Sequence, residues 1–278
     1  MAKPEATTPN PKAPPESRWR KLILPALCLL VLGTIAWVQR PDGKLHLYVL
    51  SGPGDAIVIQ SPKGRFILID GGSNPSELTL ALGRLLPFWQ RELYAVILTG
   101  GDGQRVPGQV AALSRYNVGL ALGPSDLGRH GTAGEWQRLV ASQRIPARSL
   151  QPGQRIAMDG VKLHVLDYHP GEHGGAVLLI SYGATSALIH TGGPAGDPAA
   201  LQLAGQPFDL LVYPWQRELT PMAALQPTTI IFTPAYEAPA PALLSYADRR
   251  QHARQVFHPK ADGMISLVSD GHRLRLEP

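Results

Sequence analysis

Side chains able to hold a metal or move a proton are few, and they fall in three places. Asp102 lies in the glycine-rich stretch Gly100-Gly101-Asp102-Gly103-Gln104-Arg105, directly after the apolar run Tyr94 to Thr99. His169-Pro170-Gly171-Glu172-His173 has the spacing His-x-x-Glu-His, and His190 closes the run Thr185 to His190. Metal-assisted hydrolysis needs His, carboxylate or thiolate ligands and one open position for a water of lowered pKa. Asp102, His190 and one of His169 or His173 could converge on such a mononuclear site; the alternative is that they are polar groups in surface loops. The His-x-x-Glu-His pattern works as a zinc site when a helix carries both His on one face, and Pro170-Gly171 makes a loop instead. Cys28 is the single cysteine and lies in an apolar run, which excludes disulfides and thiolate chemistry. No Gly-x-Ser-x-Gly elbow, phosphate-cradling loop or dinucleotide fingerprint is present.

The elements that must position these groups can be read from periodicity. Leu45 to Leu50, Ala56 to Gln60 and Phe66 to Asp70 are strand-like runs separated by turn residues, which predicts an antiparallel meander. Asp70-Gly71-Gly72 then breaks into a helix, Ser76 to Leu86, with Leu78, Leu82 and Leu85 on one face. Tyr94 to Thr99 is the next buried strand, followed by a helix from Pro107 to Tyr116, a strand from Val118 to Leu122 and a helix from Ala133 to Ser142. Arg155 to Ala157 pairs with Val161 to Leu166, and Ala176 to Tyr182 with Thr185 to His190. Closing strands follow around Leu211, Ile230, Val256 and Leu267. Asp55 and Asp70 read as carboxylates that hydrogen-bond turn backbone.

The order Gly52-Pro53-Gly54-Asp55-Ala56, then Leu68-Ile69-Asp70-Gly71-Gly72, a helix, and Ile97-Leu98-Thr99 resembles the opening of metallo-β-lactamase-like domains. Leu82 to Trp89 is similar to the version fused to the DNA-uptake channel protein ComEC, where the domain lies outside the membrane. The resemblance implies an α/β (α+β) fold, an αββα sandwich, over residues 45–278, and a site for two zinc or manganese ions. On that pattern the ligand slots fall on Gly100, Asp102, Gln104 and Arg105, then on Gly193, and on Trp215 or Gln216. Only Asp102 could serve, and Arg105 would repel a divalent cation. The expectation is a vestigial site with no cofactor and no catalytic residue: a pseudoenzyme.

Upstream, residues 1–20 are rich in Pro, Lys, Glu and Thr, which predicts a disordered tail. Leu22 to Val38 is an uncharged apolar run at the lower limit for spanning a bilayer. Lys12, Arg18, Arg20 and Lys21 precede it, so a single-pass signal anchor over residues 21–40 would leave the N-terminus in the cytoplasm and the domain on the outer face. Of the 26 Lys and Arg and 21 Asp and Glu, seven and three precede Leu45, leaving 19 against 18. That balance excludes strong nucleic-acid binding by bulk charge. The partners expected are the membrane, through residues 22–38, and an unidentified protein; the competing expectation is a hydrolase with the rewired site.

Overall fold

The computed structural model describes residues 18–38, 40–128, 130–171, 173–193, 203, 208–215, 225–233 and 249–277. Two units are present, one ending at Arg40 and one from Pro41 onward. In the first, α1 (Arg18–Val38) is a single helix, with side chains described only from Pro25 to Ile35. Among the described residues no helix is long and apolar enough to cross a membrane. The expected tail, residues 1–17, lies outside the described residues.

The second unit begins with the meander β1 (Leu45–Val49), β2 (Ala56–Gln60) and β3 (Phe66–Asp70), as the runs predict. Next come α2 (Pro75–Leu85), β4 (Glu92–Leu93), β5 (Ala95–Ile97), α3 (Val106–Arg115), β6 (Asn117–Val118), β7 (Ala121–Gly123), α4 (Gly131–Ser142) and β8 (Ala147–Ser149). Then β9 (Arg155–Met158), β10 (Val161–His169), β11 (Gly175–Tyr182), β12 (Thr185–His190), β13 (Leu210–Pro214), β14 (Thr229–Thr233), β15 (Gln255–Phe257), β16 (Ile265–Ser269) and β17 (Leu274–Glu277) follow. One sheet runs β17-β16-β1-β2-β3-β5-β7-β8 and the other β15-β14-β13-β12-β11-β10-β9. β3, β5, β7 and β8 are parallel, joined by α2, α3 and α4.

Strand parity builds the layers. Ile57, Ile59, Ile67, Ile69 and Ile97 point toward Leu163, Val165, Leu178 and Ile189, forming the core between the sheets. Their alternates Val58, Leu68 and Val96 face Leu78, Leu82, Leu113, Trp136 and Leu139 on the helices. Each such side chain, fully buried, is worth about 1.5–3 kcal/mol. On the far side Leu188, Leu211, Tyr213, Ile230 and Phe232 cluster with Leu203, Phe208 and Leu225. The helical layer expected there lies outside the described residues. The parallel strands carry their C-terminal ends, with Asp70 and the loop after Ile97, to one end of the sandwich, where α/β folds hold functional loops.

A buried guanidinium at the strand ends

Asp70 ends β3 with φ 53°, in a region a non-glycine side chain enters only when held. Thr99 holds it: its backbone N–H donates to Asp70 Oδ1 at 2.7 Å and its hydroxyl to Oδ2 at 2.6 Å. The Thr191 hydroxyl, beyond β12 in the other sheet, donates to Thr99 Oγ1 at 2.8 Å and accepts from Ala176 N at 3.0 Å. A chain of hydrogen bonds thus crosses from sheet to sheet.

Arg105 completes it. Its side chain is 1 % exposed. Nε lies 3.8 Å from Asp55 Oδ2 and 3.9 Å from Asp70 Oδ2, and Nη1 lies 3.3 Å from Asp102 Oδ2. Nη1 also donates to the carbonyl of Gly174 and Nη2 to that of Thr191, both in the opposite sheet's loops. Three carboxylates and two carbonyls therefore face one cation. Burial pushes Asp55 up to about 6 and Asp70 to about 7, against the opposing pull of the guanidinium. Asp102 is fixed by accepting from Gln104 N at 2.8 Å.

The glycine slots are filled by neighbours. A Cβ on Gly100 would lie 2.1 Å from Arg105 Nη1. One on Gly193, at φ +67°, would lie 2.7 Å from Gly174 and 2.8 Å from the His173 carbonyl. Gly101 N donates to Gly171 O at 3.3 Å, docking the two loops together. Trp215 packs edge to face on Phe232 and His258, with the Arg249 guanidinium 3.9 Å over its ring; it is part of an apolar cluster. Gln216 lies outside the described residues. A metal centre does not fit this set, because two slots can carry no side chain and a permanent cation fills the space.

The rewired alternative is not assembled either. His190 faces the outer cluster, edge to face with Tyr213 at 5.3 Å, and its Nδ1 accepts from Gly192 N. Asp102 faces the guanidinium, between the sheets. His169 ends β10, 3.4 Å from Asp167 and half-exposed, and His173 is exposed. Glu172 lies outside the described residues. Among the described residues no three of His, Cys, Asp and Glu come together as a metal site. Of the alternative set, His190 at the end of β12 turns to the Tyr213 side, whereas Asp102, in the loop after β5, faces Arg105. Asp55, Asp70, Thr99 and Thr191 are the partners that motif reading assigned only to turns or left aside. The signal available was an arginine six residues beyond the apolar run ending at Thr99, where burial would demand carboxylates.

No protein-family model matches the chain, and no curated protein matches it. Solved structures do. The metallo-β-lactamase fold protein YhfI from Bacillus subtilis aligns over 77 % of this chain and 95 % of its own, at 14 % identity and a TM-score of 0.54. A variant of the CmlA β-hydroxylase aligns over 81 % of this chain and 53 % of its own, at 14 % identity and a TM-score of 0.53. The fold is therefore of the metallo-β-lactamase type.

Proposed function

We propose that the chain is a membrane-anchored, non-catalytic module of metallo-β-lactamase fold that binds or scaffolds a protein partner at the outer membrane face. The observation that carries this reading is Arg105. Its guanidinium lies against two positions where the resemblance puts ligands, Nη1 being 3.3 Å from Asp102 Oδ2 and filling the space a Gly100 Cβ would need. A buried guanidinium is always charged and has no lone pair to take a proton from water. The motif order that resembles ComEC-type proteins links the module to DNA uptake. The 19 to 18 charge balance favours a protein partner over direct nucleic-acid binding. For the anchor, the support is the uncharged apolar run Leu22 to Val38 with Arg18, Arg20 and Lys21 directly before it.

The test is elemental analysis of the full chain prepared with zinc and manganese and without chelators. Metal well below one equivalent is expected, together with no hydrolysis of bis(p-nitrophenyl) phosphate. Near-stoichiometric metal that disappears in Asp102→Ala or His190→Ala would overturn the reading.

A further inference from the structure

Between α2 and β4 the chain exposes Phe88 and Trp89, 54 % and 43 % accessible, with their rings edge to face at 4.8 Å. Outside α1, the other large apolar side chains exposed among the described residues are Leu80 and Met264. Two adjacent aromatics in water are therefore a feature to explain.

The strand registers place this pair at the end of the sandwich opposite Arg105. Leu45 pairs with Ser269, and His46 with Gln60, so β1 begins at this end. The β2–β3 turn and the start of β5 share it, since Gln60 pairs with Phe66 and Ile67 with Ala95. Pro41, just before β1, packs by the turn glycine Gly64. The chain thus enters the domain at the same end of the sheet as the aromatic pair. α2, α3 and α4 all run toward the same end, bringing Arg84, Arg115 and Arg144 there with Lys63 and Arg91, all exposed. Of the acids at this end Glu92, three residues from Trp89, is exposed, and others are engaged. Asp42 pairs with Lys44 and His46, Asp159 with Arg65, and Asp270 accepts from the backbone of His272 and Arg273.

We propose that this end docks on an anionic lipid surface, with Phe88 and Trp89 at headgroup level and the Arg and Lys side chains on the headgroup phosphates. Aromatic side chains favour that depth, and each nearby cation adds about 1 kcal/mol of attraction to an anionic leaflet. The proposal rests in part on the anchored reading: six residues, 39–44, separate α1 from β1 and reach at most about 20 Å. For an anchored chain, a tether of that length permits this end to meet the bilayer.

The experiment uses the full chain with Cys28→Ser and a single fluorophore at Gln90→Cys, beside the pair, or at Ser125→Cys, at the opposite end. Vesicles are phosphatidylcholine alone or phosphatidylcholine with phosphatidylglycerol. Iodide quenching at position 90 is expected to fall on the anionic vesicles while position 125 stays accessible, and the vesicle concentration giving half the protection should drop about fivefold for each cation engaged. Adding Phe88→Ser and Trp89→Ser, exposed positions that should not disturb folding, is expected to abolish the protection. Flotation with the neutral vesicles reports the anchor separately. A chain that floats while position 90 quenches like position 125 overturns the docking face, leaves the anchor standing, and would assign the aromatic pair to a protein. Protection at position 90 on anionic vesicles without flotation on neutral ones supports the face and overturns the anchor.

Discussion

Arg105 is stabilised by what surrounds it, so removing it leaves three carboxylates buried with no cation. Arg105→Ala is expected to cost about 3–5 kcal/mol at pH 8 and less at pH 5, where the carboxylates can take up protons; denaturant titrations at the two pH values measure both. Because a Gly100 Cβ would sit 2.1 Å from Nη1, Gly100→Ala should be costly with Arg105 present and mild without it. A double-mutant cycle should return a coupling of about 1–3 kcal/mol, and additive costs would contradict the fit. The pH dependence has a definite sign. Asp55 and Asp70 have folded pKa values of about 6 and 7, above the usual unfolded value of about 3.9. Their contribution is full below about pH 4 and is lost as pH rises through 6 to 7. Asp70→Asn cannot titrate, so its stability should fall less steeply across that window than the parent's; equal slopes would remove the assignment. At this scale the sequence was half legible. That positions 100 and 193 carry no side chain could be read from residue types, but not that neighbouring groups leave no room for one there. Arg105 was legible as hostile to metal, but its cage was not, since Asp55, Asp70 and Thr191 come from separate strand ends brought together only by sheet packing.

Where a strand keeps the same two neighbours along its length, the apolar run predicted the element: β1, β2, β3, β11 and β12 fall on the expected runs. The run Val118 to Leu122 does not form one strand, because its two halves have different partners. Asn117–Val118 pairs with β4, Ala121–Gly123 pairs with β5 and β8, and Gly119 between them approaches Tyr94 O too closely for a side chain. β8 escaped notice because Ala147, Arg148 and Ser149 form an exposed edge with no apolar signal. The helices are tied to the sheet by a polar link that periodicity could not reveal. Gln109, fully buried on α3, donates to Ile97 O at 2.8 Å and accepts from Trp136 Nε1 of α4 at 2.9 Å. Gln109→Leu would keep the volume but orphan a carbonyl and an indole N–H, each costing about 1–3 kcal/mol. A total loss of about 2–4 kcal/mol in chemical denaturation is expected, and a neutral result would mean the link carries no net stability.

At the scale of the whole molecule, the order of motifs outlasts their chemistry. The alignment with YhfI over 77 % of this chain at 14 % identity shows that the fold persists where few residues are shared. Orientation in the cell belongs to this scale too, because it depends on charge summed around the apolar run and not on any contact. Arg18, Arg20 and Lys21 stand immediately before Leu22, whereas Arg40 and Lys44 follow Val38 more sparsely. The side richer in Lys and Arg stays in the cytoplasm, so the domain from Leu45 onward should be exported. Fusions after Lys44 to alkaline phosphatase, active only outside, and to a fluorescent protein that matures only inside, separate the two orientations. Phosphatase activity with little fluorescence is expected. Substituting Arg18, Arg20 and Lys21 by Asn should weaken that bias, since the remaining positive charges near the run would then lie mostly on its other side. Strong fluorescence from the parent fusion would reverse the topology, and with it the assignment of the domain to the outer face.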